Sequence, residues 1–186
     1  MIERDEALGM LAETGQDRGQ INHALQTEAV LRALAERFGQ DPELWGLTGL
    51  LHDLDYAETK DEPQRHGLAA AEALQNRLPE TALWAIRAHN GELNGSTPES
   101  TLDYALRCGE SVTGLISANA LVRPEGMRGM KPKSLKKKMK DKSFAAGVSR
   151  DRIAECERLG LELNDFFQTA ISAMSGVAEE TGLESG

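Results

Sequence analysis

The chain has 186 residues, a size that fits one domain around a hydrophobic core. Its formal net charge of −9 argues against nonspecific attraction to nucleic acid or to an anionic membrane. Only 4% of residues are aromatic while alanine and leucine dominate, which favours helix over strand. The opening Met-Ile-Glu-Arg-Asp-Glu lacks the apolar run of a secretory signal. No apolar stretch approaches the roughly 18 residues of a membrane span. The two cysteines, Cys108 and Cys156, match no C-x-x-C pattern and read as reduced thiols. The expectation is a soluble cytoplasmic protein.

Ile2, Ala7, Leu8, Met10 and Leu11 predict a short amphipathic helix over residues 1–14, broken between Gly15 and Gly19. A second helix is predicted from Ile21 to Phe38, where Leu25, Val30, Leu31 and Leu34 recur at helical period, with His23 in its first turn. Asp41-Pro42 is a helix start, Asp as cap and Pro at the first position. The third helix is predicted from Pro42 to Leu54 and delivers His52 and Asp53 near its end. Residues 55–65 are polar loop. An alanine-rich helix opens at His66, and another starts at Pro79 and runs to His89. Asn90 to Ser100, with Gly91, Gly95 and Pro98, reads as loop. Thr101 to Leu121 returns to a long apolar-periodic helix.

The composition shifts after Arg123-Pro124, and residues 131–142 hold seven lysines. That run contains neither arginine nor an aromatic residue for base stacking, so nucleic-acid binding is disfavoured. A solvated face is the expectation, with a lid placing Lys133 or a neighbour over an anionic substrate as the alternative. A last helix is predicted from Arg150 to Val177, and the tail from Glu179 to Gly186 is expected to fray. No alternating strand pattern occurs. The fold class expected is all-α, with a core over 1–124, a Lys-rich connecting segment over 125–149 and a docked C-terminal helix over 150–178.

The chemistry centres on Gly49-Leu50-Leu51-His52-Asp53-Leu54-Asp55-Tyr56. Imidazole and carboxylate side by side suit borderline divalent ions such as iron, manganese, zinc, nickel or cobalt. Consecutive helical residues point about 100° apart, so other helices must complete such a site. The chain's four histidines, His23, His52, His66 and His89, each fall at or near a predicted helix end.

The order His23, His52-Asp53, His66-Gly67, Ala85-Ile86-Arg87-Ala88-His89-Asn90 and then an acidic residue resembles the HD-domain superfamily of metal-dependent phosphohydrolases. The resemblance covers roughly residues 20–124 and is closest to small stand-alone bacterial HD proteins, which carry a segment similar to Lys140–Gly147. The chain is also similar to the HD-type symmetrical diadenosine-tetraphosphate hydrolases. The resemblance implies a helical bundle with a C-terminal helical extension. It implies one ion held by His23, His52, Asp53 and Glu110, and a second held by His66 and His89 with Asp53 bridging. Asp53, His66 and His89 would then carry the chemistry. With a single ion, His66 and His89 would instead orient ligands or contact phosphate. Glu110 stands where the family has an aspartate, and Asp103, seven residues earlier on nearly the same face, is the rival ligand.

Arg18, Arg65 and Arg87 are the expected phosphate contacts, and Asp55, Asn90 and Glu92 could orient ligands or a water. The reading is a hydrolase of a small nucleotide-like phosphate ester or anhydride. The alternative is a metal-binding sensor or interaction module with weak or no catalysis. The oligomeric state is open, a homodimer included.

Overall fold

A computed structural model describes residues 1–184 and shows α-helices joined by turns. Among the described residues the sole β pairing is one isolated bridge, Gly126 to Glu184. None of the helices is long and apolar enough to cross a membrane. The all-α expectation holds.

Helix α1 (Arg4–Glu13) leads into α2 (Arg18–Phe38), which starts three residues earlier than the apolar period indicates. Asp17 accepts from the Gln20 amide and the Gln20 side chain returns to Asp17, a reciprocal cap that satisfies two free N–H groups. His23 therefore sits in the second turn of α2, not the first. Asp41 caps α3 (Pro42–Leu51), which ends before the predicted Leu54. Beyond Leu51 the chain tightens: the Leu54 amide bonds back three residues to Leu51 and the Tyr56 amide to Asp53. His52 and Asp53 stand in this turn and not on a regular helix.

A one-turn helix α4 (Tyr56–Thr59) precedes α5 (Leu68–Ala73), which begins two residues after His66. Helix α6 (Glu80–Ala88) ends with His89 as its C-cap. The predicted 90–100 loop contains the short α7 (Gly91–Asn94). Helix α8 (Thr101–Leu121) has the predicted bounds, set by the Ser100–Asp103 capping box.

Within the predicted connecting segment the lysine run forms a helix, α9 (Pro132–Lys140). Leu135 is its buried anchor, and Lys133, Lys136, Lys137 and Lys140 face solvent. The predicted continuous helix after residue 150 is broken. It comprises α10 (Arg150–Ala154), a 3-10 turn over Glu155–Leu159, and α11 (Leu163–Ser175). The break at Gly160 turns the chain so that Ile153, Cys156 and Leu161 can all be buried together with Phe166 and Phe167. Nor is the tail free through residue 184. Ala178, Thr181 and Leu183 are buried, and Leu183 O accepts from the Met127 amide at 3.0 Å. The rest of that predicted fraying segment, residues 185–186, lies outside the described residues.

Two apolar clusters share α2. The larger joins Val30, Leu31 and Leu34 to Leu106, Val112, Leu115 and Ile116 of α8 and to Phe166, Phe167 and Ile171 of α11. The smaller packs Leu25 against Leu47, Leu50 and Leu51 of α3, with Leu11, Leu74 and Ile86 around them. Helices α2 and α3 meet almost backbone to backbone. A Cβ on Gly49 would lie 2.9 Å from the Thr27 carbonyl oxygen. That approach draws His52, one turn on, towards His23.

Gly49→Ala should therefore destabilise the fold by about 1–3 kcal/mol through overpacking. For a chain of this size that is a melting-point drop of roughly 2–4 °C per kcal/mol. Thermal or urea unfolding measures it.

Candidate metal centre

Four helix ends bring the histidines together. His23 comes from α2, His52 from the end of α3, His66 from the turn before α5 and His89 from the end of α6. Their rings form a chain of edge-on neighbours: 5.2 Å between centroids for His23 and His52, 5.2 Å for His52 and His89, and 4.8 Å for His66 and His89.

Every Nδ1 has an acceptor. His52 Nδ1 donates to Gly49 O at 2.8 Å, and His89 Nδ1 to Ile86 O. His66 Nδ1 donates to Asp55 Oδ1 at 2.9 Å. The Thr113 hydroxyl donates to Glu110 O at 2.6 Å, so it receives the His23 Nδ1 proton at 3.0 Å. An imidazole whose Nδ1–H is engaged presents its Nε2 as the ligating atom. All four Nε2 atoms turn to one carboxylate. Asp53 Oδ1 lies 3.3 Å from His52 Nε2, 3.2 Å from His66 Nε2 and 3.4 Å from His89 Nε2, and Oδ2 lies 3.9 Å from His23 Nε2.

Asp55 holds the second half of this arrangement. Its Oδ2 accepts from the Gly67 and Ala70 amides at 2.8 and 3.0 Å, capping α5 while Oδ1 orients His66. The backbone at Gly67 has φ +82°, and a Cβ there would sit 2.7 Å from Ile86 O, the carbonyl that anchors His89. Glycine at this position lets the two histidine turns touch.

The donor set fits a divalent ion on its geometry alone. Two groups, His23–His52–Asp53 and Asp53–His66–His89, each have ligand atoms within 4.8 Å of one another and share Asp53. With bonds of about 2.0–2.1 Å, two ligands on one ion stand roughly 3.0–3.4 Å apart, close to the spacings around Asp53 Oδ1. His66 Nε2 and His89 Nε2 are 3.0 Å apart, and two lone pairs at that distance need a cation or a proton between them.

The electrostatics agree. Burial, with His52 alongside, pushes His23 below its ordinary value, and burial does the same to His52. Burial works to raise Asp53, but His52, His66 and His89 outweigh it and hold the carboxyl well below the usual range. Burial also opposes charge on His66, yet its hydrogen bonds to Asp53 and Asp55 prevail and raise it to about 9. His52 and His89 are almost wholly buried, while the Asp53, His66 and His23 side chains keep 19%, 14% and 26% exposure. The centre opens on that side.

Of the two rival acids, Asp103 is spent at the start of α8. Its carboxylate accepts from the Glu99 amide at 2.8 Å, the Ser100 amide at 2.9 Å and the Ser100 hydroxyl at 2.7 Å. Glu110 lies near enough for its charge to act on His23 and His52. It is outside the two close donor groups, and its Oε1 accepts from the Ser111 hydroxyl at 2.6 Å and from Arg152 Nη1 at 3.3 Å. A Cβ on Gly109 would meet the Leu31 side chain at 2.8 Å, so this glycine serves the packing of α8 on α2.

The arginines expected at phosphate all have protein partners. Arg18 donates to Glu180 O at 2.8 Å and holds the tail. Arg65 pairs with Glu58 and Glu62, and Arg87 with Glu80. Lysine-rich α9 has no hydrogen bond or ion pair to the histidines or Asp53 among the described residues. Asn90 fastens the His66 turn by donating to Pro63 O and His66 O. Glu92 pairs with Arg107 and Arg152. Arg152 is the cation that the sequence reading missed. It sits 42 residues beyond Glu110 in the chain, and no local spacing signals their contact.

Compared with known proteins, the family model described as the HD domain matches residues 21–141. That span holds all four histidines, Asp53 and Glu110, and stops before Arg152. No curated protein and no solved structure matches the chain.

In metal-free protein the proton on His66 stands where a cation would. A raised histidine contributes stability that is full below about 6.5 and is lost as pH rises through about 9. An ion at the His66–His89 group must displace that proton. At pH 7 binding should release about one proton, and affinity at this group should rise roughly tenfold per pH unit towards pH 9. Calorimetry in buffers of different ionisation enthalpy reads the proton count.

Proposed function

The chain belongs to the HD-domain family of metal-dependent phosphohydrolases, and we propose that this centre hydrolyses a small nucleotide-like phosphate ester or anhydride. The observation that carries the reading is Asp53 between two histidine pairs, which makes two three-ligand groups sharing one carboxylate. Divalent ions held there would polarise a phosphoryl oxygen and make water a competent nucleophile at neutral pH.

The protein's share of the work is positioning. His23 and His52 would hold one ion, His66 and His89 the other, and Asp53 both, with Glu110 as the acid nearest the first. Asp55 and Thr113 fix the ring orientations of His66 and His23. The partly exposed side, past His23, Asp53 and His66, is the approach for a phosphoryl group. A cavity of about 410 Å³ adjoins His23 between α2 and α8, and Asn22, Gln26, Gly114 and Ser117 line it. That volume lies in the range of small-ligand sites and supports a nucleotide-sized substrate over a polymer.

One observation favours the second reading, a metal-binding HD protein with weak catalysis. Glu110 replaces the expected aspartate and is held by Ser111 and Arg152. Glu110→Asp separates the two, because a large gain in turnover would mark the native centre as catalytically weak.

Elemental analysis after reconstitution should find about two equivalents of a transition metal. One equivalent should be lost in His66→Ala, and metal should fall more broadly in His52→Ala. Hydrolysis across a panel of nucleotides and dinucleotide polyphosphates should disappear in Asp53→Ala. Asp55→Asn should cost about 10–100-fold in metal affinity or activity. No metal after reconstitution would sink both readings.

A further inference from the structure

We propose that Arg152, carried by α10 outside the matched HD-domain residues, binds the phosphoryl group of the substrate beside the metal centre. The inference rests on the phosphohydrolase reading and adds to it a residue that the family match does not contain.

Arg107 donates to the His89 carbonyl, and Arg152 donates to Glu110, whose own carbonyl accepts from the Thr113 hydroxyl that holds His23. The two guanidinium groups differ in what they have left to give. Arg107 is 4% exposed and saturated. Its Nε donates to Glu155, its Nη1 to Glu92 and to the Ala88 and His89 carbonyls, and its Nη2 to Glu92 and Glu155. It ties down the end of α6 that carries His89. Arg152 makes two such bonds, Nη1 to Glu110 at 3.3 Å and Nη2 to Glu92 at 2.8 Å. A guanidinium has five N–H donors, so three have no protein partner among the described residues. Nε, which has no partner, is not a buried orphan, and the side chain as a whole is 22% exposed. Free donors on a cation next to the acid nearest the first ion group suit an oxyanion, which a guanidinium fork can grip with two parallel bonds.

The support under Arg152 is rigid. Ser149 caps α10 by accepting from the Arg152 amide, and Ile153 is fully buried. Arg150 next to it gathers the preceding turn, donating to Ala145 O at 2.6 Å and Val148 O at 2.7 Å, and to Phe144 O. A preorganised cation loses less freedom on gripping its anion.

The test is calorimetric titration of inorganic phosphate into the metal-reconstituted full chain, with metal content measured on each sample. Arg152→Gln should keep its metal, weaken phosphate binding about 10–100-fold and raise KM more than it lowers kcat. Arg152→Lys, which keeps the charge without the fork, should recover part of the affinity. Unchanged phosphate affinity in Arg152→Gln overturns the proposal. So does loss of metal in step with phosphate, since Arg152 would then position Glu110 and not the substrate. Should Arg152→Gln fail to fold, Glu92→Gln removes one competing carboxylate and leaves the guanidinium. Phosphate should then bind more tightly, and weaker or equal binding counts against Arg152. Phosphate binding needs no turnover. A wild-type chain that binds phosphate through Arg152 yet hydrolyses no nucleotide overturns the phosphohydrolase reading alone.

Discussion

The Asp53 carboxylate is the group on which the other arrangements depend. Four imidazole nitrogens face it, and its negative charge, with the proton it helps hold on His66, makes their convergence tolerable without a metal ion. Packing these groups together costs desolvation energy that an apolar core of the same volume would not incur. The fold accepts that cost by fixing the outer nitrogen of each ring. Two rings are tied to the last carbonyls of their own helices, one to Thr113 and one to Asp55. The inner nitrogens then have nowhere else to point.

Close backbone approach makes this geometry reachable. Gly49 brings α3 against α2, and Gly67 brings the His66 turn against the end of α6. Asp55 does two jobs with one carboxylate, capping a helix and orienting a ligand. A change at any of the three positions would act on the centre without touching a ligand atom.

Around the centre runs a charge network, Glu110–Arg152–Glu92–Arg107–Glu155, that joins α8 and the end of α6 to the C-terminal elements. Its outer pairs are partly exposed and each is worth little in stability. Arg107 is different, because it is buried and its loss would strand the Glu155 carboxylate and the Ala88 and His89 carbonyls. The network makes the C-terminal third part of the site's surroundings, although the candidate ligands all precede that third in the chain.

The all-α class, the bounds of α8, the cap at Asp41 and the ligand candidates on four helix ends were legible in the sequence. Those features are local: apolar period, capping chemistry and the identity of rare residues are written within a few positions of where they act. The sequence did not place Arg152 beside Glu110 or turn Arg18, Arg65 and Arg87 to other partners. Nor did it break the last helix at Gly160 or dock the tail on Arg18 and Met127. The Arg152–Glu110 contact and the docked tail are pairings between distant segments, decided by which buried faces must close and which charges are left facing one another when they do. The chain order alone determined which residues can ligate. The packing of α2, α3, α6 and the turn before α5 decided that their ligating atoms gather on one carboxylate.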